Sequence, residues 1–217
     1  MLHILGQQSS LLNQYLRELR DTTVQQDRMR FRRNLERMGE IMAYEMSKEM
    51  QSEQVVVPTP LGESNMEVPG EKIVLGTILR AGLPFHQGFL NYFDGAENAM
   101  VSAYRKHTAD DAFEISIEYL SSPSLEGKTL ILTDPMLATG RSMVLAWEAM
   151  IRERGLPAKT YIAAVIGSQE GVDFARKHLP SMRISLWLGA VDPELNAKSY
   201  IVPGLGDAGD LAFGPKL

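Results

Sequence analysis

The sequence predicts an α/β fold: a doubly wound, mostly parallel sheet with flanking helices, an N-terminal helical region and a β-hairpin flap. Two observations carry this. Apolar runs such as Ile73-Val74-Leu75, Leu130-Ile131-Leu132 and Tyr161-Ile162-Ala163-Ala164-Val165-Ile166-Gly167 alternate with segments whose apolar residues recur at helical spacing. One run leads through Asp134 and Pro135 to a turn closed by Thr139 and Gly140, then into an amphipathic segment carrying Met143, Val144, Ala146, Trp147, Met150 and Ile151. That is a buried strand, a tight loop and a helix.

Taken in order, Leu11, Leu12, Tyr15, Leu16 and Leu19 predict a first helix, and a polar break at Asp21 to Thr23 separates it from a second, from about Gln25 to Met50. Phe31, Leu35, Met38, Met42 and Met46 form its apolar stripe, adaptable because methionine is flexible. The basic cluster Arg28, Arg30, Arg32 and Arg33 fits an RNA-binding face or, more simply, the solvated side of the helix, offset by Glu36, Glu40 and Glu45. Val55-Val56-Val57 is β-branched and bounded by Pro58, a short strand, and Ser64 to Glu71 reads as loop. A second buried strand, Lys72 to Leu79, turns through Arg80-Ala81-Gly82-Leu83 into a short helix ending near Phe93. Ala99 to Tyr104 is a third strand, and Phe113 to Leu120 alternates as a half-exposed strand does, so 104–120 forms a hairpin with a polar tip, suited to be a mobile lid. After strand 129–133 and a helix ending near Gly155 come strand 161–167, a helix over 169–178 and strand 184–188. The expected organisation is a single domain, 1–217, with N-terminal helices in 1–54, the flap in 104–120 and a distinctive tail in 199–217.

Composition narrows the class. A chain of 217 residues, 44% hydrophobic and 23% charged, has the balance of a soluble globular protein. A formal net charge of -5 offers no global attraction to nucleic acid or an anionic membrane, and no segment has the apolar length of a membrane span. Neither nucleic acid nor membrane is an expected partner, and a cytoplasmic location is expected. Cysteine is absent, which excludes disulfides and thiolate catalysis. His3, His86, His107 and His178 lack metal-ligand spacing and read as surface or packing residues.

The loop Asp134-Pro135-Met136-Leu137-Ala138-Thr139-Gly140-Arg141-Ser142 is where chemistry is expected. A strand-to-helix junction offers unpartnered backbone N–H groups and the positive end of the helix dipole, which together hold a phosphate. Gly140 permits close approach, and the hydroxyls of Thr139 and Ser142 add donors. Asp134 repels anions but accepts hydrogen bonds from paired sugar hydroxyls, so loop and acid together suggest a ribose 5-phosphate. Taken alone, the same residues also fit an Asp and a Ser that only cap a strand and a helix. A triphosphatase loop is excluded, since it needs glycine at Pro135 and lysine at Arg141. At another strand end, Arg80 beside Ala81 and Gly82 lets a guanidinium and backbone converge on an anion. The tail contains a formal Gly204-x-Gly206-x-x-Gly209 fingerprint, but a dinucleotide site needs a strand before it and a full helix after it. Its glycines and prolines describe instead a loop whose backbone presses against a flat ligand.

These motifs resemble those of the uracil phosphoribosyltransferases. Asp134-Pro135-Met136-Leu137-Ala138-Thr139-Gly140-x-Ser142 is similar to the family's phosphoribosyl-pyrophosphate (PRPP) loop, and its Asp-Pro opening is the informative part. Ile78-Leu79-Arg80-Ala81-Gly82 looks like the pyrophosphate loop, with Pro84 where a glycine is usual. Tyr104-Arg105 looks like the start of the flap, although the tip from His107 to Ala112 does not match closely. Leu19-Arg20-Asp21, Met42-Ala43-Tyr44-Glu45 and Thr59-Pro60-Leu61-Gly62 resemble family segments, the helices among them packing around the base site and dimer contact. The tail from Tyr200 to Asp210 resembles the uracil-binding segment. The resemblance implies that PRPP meets Arg80, Arg105, Asp134 to Ser142 and Asp207, and that Ile201, Gly206, Asp207 and Ala208 frame uracil. Arg80, Arg105, Asp134 and Asp207 are the expected catalytic residues. It further implies Mg²⁺ carried by PRPP rather than by protein ligands, a homodimer or higher homo-oligomer, and the products UMP and diphosphate. Departures are Arg141, where glycine is usual, and Leu211-Ala212, where an arginine is common. The alternative is a catalytically weak nucleotide sensor or RNA-binding regulator of the same fold. That branch carries two acidic residues in its phosphate loop and lacks this tail.

Overall fold

The computed structural model describes residues 1–107 and 113–215, with the side chains of 103–116 outside that description. The chain opens with β1 (Leu2–Ile4), α1 (Leu11–Arg20) and α2 (Arg28–Ser47), then forms β2 (Ser52–Thr59), β3 (Gly62–Pro69), β4 (Ile73–Leu79), α3 (Leu83–Leu90), β5 (Glu97–His107) and β6 (Phe113–Ser121). It continues through β7 (Thr129–Thr133), β8 (Met136–Leu137), α4 (Arg141–Arg154), β9 (Lys159–Ser168), α5 (Gln169–His178) and β10 (Ile184–Asp192). It closes with β11 (Glu194–Leu195), β12 (Ile201–Val202) and α6 (Ala208–Phe213).

The main sheet has the order β1-β10-β9-β7-β4-β5-β6, with β8 also beside β9. Every pairing is parallel except β5 with β6. Alternation along β9 explains why helices cover both faces: Tyr161, Ala163 and Val165 pack with Phe31, Leu35, Met38, Phe85 and Phe89, whereas Ile162 and Ala164 pack with Met143, Trp147, Met150 and Val172. The stripe Phe31, Leu35, Met38, Met42 and Met46 is fully buried against the first of these faces. From β4 the chain proceeds outward to β5; from β7 it proceeds the other way to β9 and β10. The sheet's switch point therefore lies between β4 and β7, where ligands of such folds bind.

Three local expectations are corrected. Helix α2 starts at Arg28 rather than near Gln25, because the Asp27 carboxylate accepts from the Arg30 N–H at 3.1 Å and caps the helix there. The expected loop from Ser64 to Glu71 is mostly β3, paired antiparallel with β2 from Ser52 opposite Pro69 to Thr59 opposite Gly62. This hairpin stands apart from the main sheet with both faces largely solvated, so it shows no apolar alternation. The tail is not all loop. Asp207 accepts from the Asp210 N–H at 3.0 Å and starts the short helix α6 among the glycines.

Candidate active site

Strand β7 delivers Asp134 to the switch point, and β4 delivers Arg80 beside it. A cavity of about 530 Å³ opens there. Of the expected site residues, Arg80, Asp134, Met136, Leu137, Ala138, Thr139, Gly140, Ser142, Asp207 and Ala208 line it. Pro135, Arg141, Ile201 and Gly206 are not in its wall. Arg105 sits on β5 opposite Ile115, and its side chain falls outside the described residues, as does the flap tip at 108–112.

The phosphate loop is pinned from below. The Pro135 carbonyl accepts from Val165 and Ile166 N–H groups, both at 3.1 Å, which is why Pro135 is turned to the sheet. The Asp134 carboxylate accepts from the Met136 N–H at 3.3 Å, closing the first turn of the loop. Gly140 takes φ +74° as the residue before α4, and a Cβ there would stand 2.7 Å from the Gly171 carbonyl oxygen. Only glycine combines that backbone angle with so close an approach. Gly140 has no side chain to cap α4, and although the Arg141 N–H points to the Thr139 hydroxyl at 3.5 Å, the first turn at Ser142 and Met143 faces the cavity. Arg141 is exposed and places its guanidinium 5.9 Å from the centre of the Phe174 ring on α5, which accounts for its absence from the cavity wall.

Arg80 reaches across the site to the tail. Its Nη2 donates to the Asp210 carboxylate at 3.2 Å and to the Gly214 carbonyl, with Phe213 stacked 5.9 Å away. Its Nε is buried without a hydrogen-bond partner among the described residues. The pyrophosphate-type loop and the base-type tail are thus joined through one side chain.

Lys198, Ser199 and Tyr200 also line the cavity, as do Ser102 and Gly209; Ser199, Tyr200 and Gly209 lie in the tail that the sequence singled out, whereas Lys198 and Ser102 were missed. A signal for Lys198 was present: Asn196 accepts from the N–H groups of Lys198 and Tyr200 at 2.9 and 3.0 Å, an asparagine-led turn immediately before the tail. Ile201 is buried and pairs with Leu195, so it supports the tail segment from the core side.

A phosphate loop at the switch point of a mostly parallel sheet, facing an acid-capped tail across one cavity, defines a phosphoribosyltransferase-type protein. The uracil phosphoribosyltransferase family profile matches residues 6–215. The chain belongs to that family. It is 56% identical over 213 residues to the uracil phosphoribosyltransferase of Porphyromonas gingivalis, covering 98% of each chain. To that of Methanothermobacter thermautotrophicus it is 41% identical over 186 residues, covering 85% of this chain and 83% of the relative. A solved structure from Aquifex aeolicus matches with a TM-score of 0.87 at 30% identity, over the whole of both chains.

Proposed function

We propose that the protein transfers the 5-phosphoribosyl group from PRPP to uracil, giving UMP and diphosphate, as in salvage of the free base. The observation that carries this reading is that the loop from Asp134 to Ser142, Arg80, and Asp207 with Ala208 face one cavity. In this reading the 5-phosphate sits on the backbone N–H groups at the start of α4, and Asp134 accepts from the ribose hydroxyls. Arg80 and Arg105 meet the diphosphate, Arg80 from the cavity wall. The backbone at Asp207 and Ala208 pairs with the edge of uracil and directs its ring nitrogen at the sugar carbon, with Asp207 between base and sugar.

No covalent intermediate with the protein is required. The C–O bond to diphosphate breaks as the C–N bond to uracil forms, through an oxocarbenium-like state, the uracil ring nitrogen releasing its proton to solvent or to the departing diphosphate, and the chain contributes positioning and preorganised charge. Mg²⁺ would enter with PRPP, held by its phosphate oxygens and by water rather than by protein ligands, as suits a hard cation that dehydrates reluctantly and binds through substrate phosphates. It would neutralise charge on the diphosphate. We place the enzyme in the cytoplasm as a homodimer or larger; among the described residues no helix is long and apolar enough to cross a membrane. Nucleic acid is not a partner in this reading. Arg30 pairs with Glu18, Arg33 with Glu36 and Glu40, and Arg32 donates to the Ala212 carbonyl, so the basic cluster of α2 is largely engaged within the protein.

The test is formation of UMP from PRPP and labelled uracil with Mg²⁺, run beside cytosine, orotate and hypoxanthine. Turnover confined to uracil supports the reading. PRPP binding without turnover of any base would move the assignment to the nucleotide-sensor alternative.

A further inference from the structure

The base side of the proposed site is built from backbone, so whatever holds that backbone sets where the base lies. Asp192, the last residue of β10, is buried, and its carboxylate receives Arg20 through a paired fork: Nη1 to Oδ2 at 2.8 Å and Nη2 to Oδ1 at 2.7 Å. The same two groups also grip Gly204. Its N–H donates to Asp192 Oδ2 at 3.0 Å, and its carbonyl accepts from Arg20 Nη1 at 2.9 Å. One ion pair thereby satisfies both polar groups of a single residue in the tail. Gly204 has φ +61°, and a Cβ there would stand 2.1 Å from the Ile201 carbonyl oxygen, so the turn admits no larger residue. Next along, with its amide nitrogen turned towards them, Gln25 donates to the Leu205 carbonyl at 2.8 Å and the Leu19 carbonyl at 3.1 Å.

Gly204 and Leu205 lead directly into Gly206, Asp207 and Ala208, while neither Arg20 nor Asp192 lines the cavity. The phosphate loop rests on different supports, β9 and α5. We propose that Arg20 and Asp192 are positioning residues that fix the Gly204 peptide and so set the placement of the uracil-pairing backbone. This rests on the tail being the base site, as read above. A charged pair with its hydrogen bonds this fully used is an effective register device, and removing either partner strands the other. A purely structural role would lower the amount of folded enzyme; the positioning role changes affinity for one substrate and spares the other.

The experiment is steady-state kinetics of Arg20→Ala, Arg20→Lys, Asp192→Asn and the Arg20→Ala/Asp192→Ala double variant, varying uracil and PRPP separately. Loss of charge-assisted hydrogen bonds of this kind corresponds to about tenfold or more in KM for uracil, with KM for PRPP within about twofold of the parent. Lysine, able to keep one donor but not the fork, should restore part of the uracil affinity. The double variant should be no worse than Arg20→Ala, because the residues act as a unit. If Arg20→Ala does not fold, Asp192→Asn carries the same comparison with a smaller perturbation. Unchanged uracil KM in variants of an active parent, or equal rises in both KM values, overturns the inference. If the parent itself turns over no uracil, the functional reading falls instead. Hydrogen exchange then judges the clamp separately: faster exchange in Arg20→Ala confined to 203–208 supports it, and unchanged exchange there overturns it.

Discussion

Ser168 donates its hydroxyl hydrogen to the Ala138 carbonyl at 2.6 Å, and the same oxygen accepts from the Gly171 N–H at 2.8 Å. The cap of α5 and the phosphate loop therefore share one atom. Ser168→Ala leaves the Ala138 carbonyl and the first turn of α5 without that partner. Stability should fall by about 1 to 3 kcal/mol and KM for PRPP should rise about fivefold, with KM for uracil little changed. Thermal denaturation and two-substrate kinetics check both, and an unchanged KM for PRPP would show that the shared hydroxyl does not set the loop.

Gly140→Ala tests the loop from its other side. The added Cβ meets the Gly171 carbonyl oxygen at 2.7 Å while the backbone holds φ +74°. Strain of this kind costs about 1 kcal/mol or more, and relieving it would move the N–H groups that the proposed reading assigns to the phosphate. A PRPP affinity at least several-fold weaker is expected by isothermal titration, with no change in the far-ultraviolet spectrum.

Arg80→Ala should cut turnover by about 10²-fold or more, the scale seen when one charge-stabilising donor is removed from a reacting centre. Arg80→Lys should recover little, since a compact ammonium lacks the planar, spread donors by which one guanidinium holds Asp210 and the Gly214 carbonyl while still facing the cavity. Normal turnover in Arg80→Ala would remove this residue from the chemistry.

Glu18 gives stability a defined acid dependence. Hydrogen bonds from Arg30 first and Asn34 second lower its carboxyl from 4.5 to about 2, against the opposing effect of burial. A lowered folded value means that the contribution is complete above pH 4.5 and is lost as pH falls from there towards 2. Denaturant midpoints measured across that window should decline in the parent, and Glu18→Gln should be less stable at neutral pH with a shallower decline.

Chelation of divalent cations should abolish UMP formation and added Mg²⁺ should restore it. Turnover that persists with excess chelator would exclude the ion from the reaction.

What could be read from the sequence had local pattern. The stripe of α2, the wholly buried β7 and the strand-loop-helix around Asp134 each declare themselves within a short window. Strand β3 did not, because a hairpin solvated on both faces has no apolar face to alternate, and β1 is a short edge strand recognised only by its partner β10. In the site, the cavity-lining stretch of the phosphate loop was legible from its own residues. The partners that place it were not: Ser168 lies 30 positions from Ala138, and Arg80 lies 130 from Asp210. Hydrogen bonds across such separations leave no periodicity behind. The same is true of Gly206, which is part of the base-side turn yet faces a separate recess beside Gln25 and Arg28.

The tail is held to the first helices by contacts spanning 172 positions from Arg20 to Asp192, 180 from Arg32 to Ala212 and 184 from Arg20 to Gly204. Loops of that size close at an entropic disadvantage, and contacts so distant in sequence form after the local ones have organised the chain between them. Strands β4 to β10 pair across far shorter separations, so a refolding molecule will acquire them, and the phosphate loop they carry, before it can seat a base. Catalytic competence thus arrives last, as a report that the opening helices and the closing turn have found each other.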